Sequence, residues 1–136
     1  MHCMERFATE VYHAQRNAFR GGELADEFKA AEENEREHAT SLKKRVIEVS
    51  GTAAKIGFLF WLAGRILGVS TRIFGKRCIL NADILVEKRA IKDYNSFLGW
   101  VKFDDGTASL IKRIIHDEEH HVENWQSALD SLKNKE

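Results

Sequence analysis

The chain has 136 residues and a mass of 15.6 kDa, the size of one domain and enough to bury about two thirds of the unfolded chain's surface. Its 21 basic residues balance 21 acidic ones, which argues against a nucleic-acid binder driven by bulk positive charge, and a composition 43% hydrophobic and 31% charged is too apolar for disorder. Proline is absent and there are two cysteines, so long helices meet no proline break, an all-β fold is disfavoured, and neither a disulfide framework nor a cysteine zinc site can be built.

The first predicted helix runs from about Met1 to Arg20. Its opening, MHCMERFATEVYH, carries Glu5 and Arg6 and has no apolar run, so it is not read as a signal peptide. With Cys3 and Cys78 read as unpaired thiols of a reducing compartment, this places the chain in the cytoplasm, either soluble or peripheral on the cytoplasmic side of a membrane. Gly21-Gly22 ends the first helix. From Glu23 to about Ser50 the chain is rich in Ala, Glu, Lys and Arg, a second helix closed by Gly51.

Residues 51–80 differ in composition. They hold Lys55, Arg65, Arg72, Lys76 and Arg77 without an acidic residue, and the run IGFLFWLAG. The two arginines make the segment too short and too charged to span a membrane. Phe58, Phe60, Trp61 and Ile66 with only basic charges suit an interfacial amphipathic helix; a crossover helix on the bundle or a homodimer surface fits equally. A third long helix covers Asn81–Trp100, a turn follows at Asp104-Asp105-Gly106, and a last helix runs from about Thr107 to Leu132. The expected fold is an all-α four-helix bundle, one domain over 1–136, with helix pairs at 1–50 and 81–136 and the apolar basic segment between them.

An internal repeat carries the chemistry. Glu5-x-x-Ala8-x-x-x-Tyr12 recurs as Glu87-x-x-Ala90-x-x-x-Tyr94, and Glu35-x-x-His38 recurs as Glu118-x-x-His121. Residues three apart share a helix face with their β-carbons about 5–6 Å apart, so a Glu and a His at that spacing can bind one metal from one helix. Tyr12 and Tyr94 lie two turns beyond their glutamates on the same side. Glu5, Glu35, His38, Glu87, Glu118 and His121 are therefore the candidate metal ligands, a pattern that matches ferritin-like dimetal carboxylate bundles. Four carboxylates cancel two divalent cations, and a shell of oxygen with two imidazoles suits iron, or manganese, over zinc or copper(I). Asp117 and Asn34, each preceding a ligand glutamate, are candidates to accept the spare N–H of the opposing histidine. Glu10 is expected to be exposed, Glu32, Glu33 and Glu37 to form a solvated run, and His2, His13, His116 and His120 to lie at the surface or, for His120, beside the site.

With these motifs in place, the chain resembles the demethoxyubiquinone hydroxylase family, ferritin-like di-iron monooxygenases of ubiquinone biosynthesis, over nearly its whole length. Glu5 with Val11-Tyr12 and Gln15 looks like that family's first motif and Glu35-x-x-His38 like its second; FLFWLAGRILGVSTRIFGK is similar to its glycine-rich membrane-associated segment. Asp93 stands where the family often has a histidine, and Lys88 where it has a second glutamate. The resemblance implies a ferritin-like four-helix bundle, two iron ions on the six ligands, a catalytic role for Tyr94, and hydroxylation of a quinone-like substrate by O2. No nucleotide-binding fingerprint is visible, so an external electron donor is implied. The competing readings are a rubrerythrin-like peroxidase, weakened by the lack of Cys-x-x-Cys pairs, a ferritin-like iron-storage protein, and a metal-free interaction module.

Overall fold

A computed structural model describes residues 1–19, 22–50 and 57–134, and these are helical with short connections. Gly21, the helix stop at Gly51 and Lys55 lie outside the described residues. Helix α1 spans His2–Gln15, α2 Glu23–Ser50, α3 Gly57–Ile73, α4 Lys76–Trp100 and α5 Asp105–Lys133. The fold class is all-α, as expected. The chain divides into two compact units, Met1–Ile79 and Leu80–Glu136, with α4 beginning in the first and continuing in the second.

In the first unit, α1 stops short of the expected Arg20 because Arg16–Phe19 tighten into a 3-10 turn, a usual way to end a helix. The turn brings Phe19 flat against Phe28 of α2, ring centroids 4.7 Å apart, while Tyr12 meets the same ring edge-on at 5.8 Å. Helix α2 has the expected bounds, and its buried positions Phe28, Ala31, Glu35, His38, Ala39 and Leu42 form one stripe at helical spacing. Each fully buried aromatic or leucine side chain of this stripe contributes about 1.5–3 kcal/mol by leaving water.

Helix α3 packs on α1 through its smallest residues. A Cβ at Gly68 would stand 2.7 Å from both the Ala14 Cβ and the Val11 carbonyl oxygen, and one at Gly64 would overlap the Phe7 carbonyl. The contact is locked by polar bonds: buried Gln15 donates its side-chain N–H to the Thr71 hydroxyl at 2.9 Å, and Arg72 donates to the Ala14 carbonyl at 3.2 Å. With its glycine face against α1, α3 leaves Phe58, Leu59, Leu62, Ile66, Val69 and Ile73 exposed. No helix among the described residues is long and apolar enough to cross a membrane.

Gly75, at φ +91°, breaks the chain between α3 and α4, a left-handed conformation that glycine adopts without Cβ strain. Placing the break there starts α4 at Lys76, earlier than the expected Asn81.

In the second unit, α5 begins earlier than expected. Asp104 is its cap, accepting the Thr107 backbone N–H at 3.0 Å and the Thr107 hydroxyl at 2.6 Å, so Asp105 and Gly106 belong to the first helical turn rather than to a loop. Ile111, Ile114, Trp125 and Leu129 form its buried stripe.

Candidate metal centre

Within the first unit, α1 supplies Glu5 and α2 supplies Glu35 and His38, all three buried. Each offers a ligand atom, and these atoms lie within 4.8 Å of one another. The His38 Nδ1 is 3.8 Å from Glu5 Oε2 and 4.0 Å from Glu35 Oε2. Within the second unit, α4 supplies Glu87 and α5 supplies Glu118 and His121, again buried and again with ligand atoms inside 4.8 Å. There His121 Nδ1 is 2.9 Å from Glu118 Oε2 and 3.9 Å from Glu87 Oε1. Each unit thus holds the same donor set, two carboxylates and one imidazole.

Such a set is costly to bury alone. Two ionised carboxylates side by side out of water repel and lose hydration, whereas one divalent cation cancels their charge. Hard carboxylate oxygens with an imidazole nitrogen fit iron or manganese, and atoms already gathered at this spacing need little movement to close on an ion.

Both tyrosines are buried. Tyr12 packs on Phe28. The Tyr94 hydroxyl is enclosed without a hydrogen-bond partner among the described residues. Beside it, Asp93 receives Arg89 through both oxygens, at 3.0 and 2.9 Å, so the residue that departs from the family pattern is held at the helix surface. Asp117 is half-buried on α5, and Asn34, half-buried on α2, has its side-chain oxygen enclosed without a partner among the described residues. Phe58 and Ile66 are exposed and Phe60 and Trp61 half-buried on α3.

Several expectations for the remaining polar residues are corrected. Glu32 is buried, and its carboxylate accepts from His13 at 3.1 Å, Arg16 at 2.9 Å and Arg36 at 2.7 Å. It lies three residues before Glu35 on the inward stripe, so spacing already separated it from exposed Glu33 and Glu37. Glu10 is half-buried because Arg65 of α3 reaches it at 3.4 Å. His2 is buried next to Cys3, while His116 and His120 are exposed as a contacting pair. Asp83 went unread: it is buried one turn before Glu87 on the same face of α4, and its i, i+4 spacing was the available signal.

The helices and the two triads define an all-α carboxylate–histidine protein of the ferritin-like class. The family model of the ubiquinone biosynthesis protein COQ7 matches residues 2–135, and the chain belongs to that family, an enzyme family of ubiquinone biosynthesis. A search of curated proteins finds no match.

Proposed function

We propose that the chain is a di-iron monooxygenase that uses O2 to hydroxylate a quinone-like lipid in ubiquinone biosynthesis. The observation that carries this reading is the pair of buried triads with one donor set at matched spacing, in a chain of the COQ7 family. Glu5, Glu35 and His38 would hold one iron, and Glu87, Glu118 and His121 the other. Bound iron supplies the electron transfer to oxygen that no side chain provides.

The side chains have tasks of their own. The four carboxylates fix the ligand geometry and balance charge, and the half-buried Asp117 accepts a ligand imidazole's spare N–H, holding the ring's tautomer. Tyr94 follows Glu87 by seven residues, about 10.5 Å along the helix axis. Its side chain leans back toward the helix start, and its enclosed, unpartnered hydroxyl would hold a proton for the reaction. Ile114 and Trp125, buried one turn before Glu118 and one turn after His121 on α5, would keep water from those two ligands. One oxygen atom enters the ring and the other leaves as water, so two electrons and two protons come from an external donor. The exposed apolar face of α3 lies in a membrane interface, where a lipid quinone is found.

Iron-loaded protein, given a chemical reductant, O2 and a demethoxyquinone analogue, is expected to yield the hydroxylated ring with incorporation from ¹⁸O2. Glu35→Ala and Glu118→Ala are each expected to abolish product and lower iron content. Product from the metal-free chain, or undiminished product from these variants, overturns the proposal.

A further inference from the structure

The first unit contains a cleft of about 810 Å³ where α1, α2 and the start of α3 meet. Three cationic side chains, Arg6, Arg36 and Lys43, line it together with Phe58 and Trp61. Two of its charged groups are engaged: Arg36 donates to Glu32 at 2.7 Å, and Glu10 faces Arg65 at 3.4 Å. Arg6 and Lys43 have neither an ion pair nor a hydrogen bond among the described residues. The Arg6 guanidinium lies over Gly57, where a Cβ would come within 2.8 Å of it, so the start of α3 is shaped to let it pass. Burial pushes the His2 imidazole below its ordinary pKa, and the amino terminus, Lys43 and Arg6 push the same way. The wall is thus neutral at His2 and positive around it.

We propose that this cleft binds the phosphate-bearing headgroup of an anionic phospholipid, with Arg6 and Lys43 on the phosphate. This rests on the interfacial reading of α3 given above. Two observations select a lipid over a soluble anion. The positive charge is complementary to a phosphodiester and unneutralised by protein. Phe58, 64% exposed, is both a cleft wall and the first member of the apolar row that continues through Leu59, Leu62, Ile66 and Ile73. An amphipathic helix in a bilayer interface buries its apolar face about 5–10 Å into the headgroup–acyl boundary. With the α3 row at that depth, the cleft opens at the level of the phosphates, where a basic side chain contributes about fivefold in binding.

The test is flotation of the metal-loaded full chain with vesicles of phosphatidylcholine alone and of phosphatidylcholine containing phosphatidylglycerol. Phosphatidylglycerol is expected to raise the bound fraction. Arg6→Gln and Lys43→Gln are each expected to lower affinity for the anionic vesicles about fivefold, and Arg6→Lys to restore it, with binding to neutral vesicles unchanged throughout. Both residues are exposed, so folding should survive; should Arg6→Gln unfold the chain, Lys43→Gln carries the test alone. Equal binding to both vesicle types overturns the headgroup site while leaving the interfacial reading of α3 intact. No binding of the unmutated chain to either overturns both. Saturable binding of inorganic phosphate with no preference for anionic vesicles also overturns the proposal, as does a dimer in solution that Phe58→Asp dissociates and vesicles do not.

Discussion

Glu32 and Glu35 sit one turn apart on α2, both buried, and their surroundings assign them opposite tasks. Glu35 belongs to a triad with a second carboxylate, Glu5, and an imidazole, surroundings that call for a cation. Glu32 already has its cations, in Arg16 and Arg36, with His13 as a third partner. It ties the end of α1 and the following turn to the middle of α2. Hydrogen bonds to charged groups contribute about 1.5–3 kcal/mol, discounted here because the Arg36 and Arg16 side chains are partly exposed. Glu32→Ala is therefore expected to lower unfolding free energy by about 2 kcal/mol, read from the urea midpoint, while iron stoichiometry stays as in the unmutated chain. Loss of iron with unchanged stability would place Glu32 in the metal centre instead.

At the scale of the element, α3 shows where pattern reading reaches and where it stops. Its apolar, basic composition was legible, because no acidic residue interrupts 51–80. Which face turned outward was not, since Phe60, Trp61 and Leu67 place further apolar side chains off the row of Phe58, Leu62 and Ile66. The deciding residues are the glycines, whose information is an absence of side chain: Gly64 and Gly68 lie four apart and admit the α1 backbone. Helix ends were legible where composition changed sharply, as at Glu23 and Ser50, and missed where a side-chain cap or a glycine conformation decided, as at Asp104 and Gly75. A methyl group at Gly68 meets backbone and an Ala14 Cβ, neither of which can swing aside. Overpacking of this kind costs about 1–3 kcal/mol. Gly68→Ala is expected to lower the melting temperature and raise exchange of the α3 amides, whereas Gly57→Ala, opposed only by the flexible end of Arg6, should change both much less. Equal effects from the two would show that α3 does not rest on α1 through its glycine face.

For the whole molecule, the repeat was the most readable feature, because metal chemistry forces residue type and spacing together. Glu5 to Glu35 and Glu87 to Glu118 keep nearly one interval, and each unit gathers the donors so named. Glu32 and Asp83 share those stripes and went unread, since spacing alone does not say whether a buried carboxylate meets a cation from the protein or from solution. That ambiguity decides how stability should respond to metal. A chain that uses the triads only as remnants gains from losing them: Glu35→Ala and His38→Ala would relieve buried charge and leave melting unchanged or raised. A chain that binds metal gains RT ln(1 + [L]/Kd), about 2.7 kcal/mol at a hundredfold excess over Kd, roughly 10 °C of melting temperature for a chain of this size. Chelation of the iron-loaded protein is therefore expected to lower its melting temperature by roughly 10 °C, and Glu35→Ala to remove most of that difference. Because the donors are divided between the two units, amide exchange should report protection by metal in α1 and α2 and equally in α4 and α5. Protection confined to one unit would mean that a single triad binds, and the two-iron reading would fail.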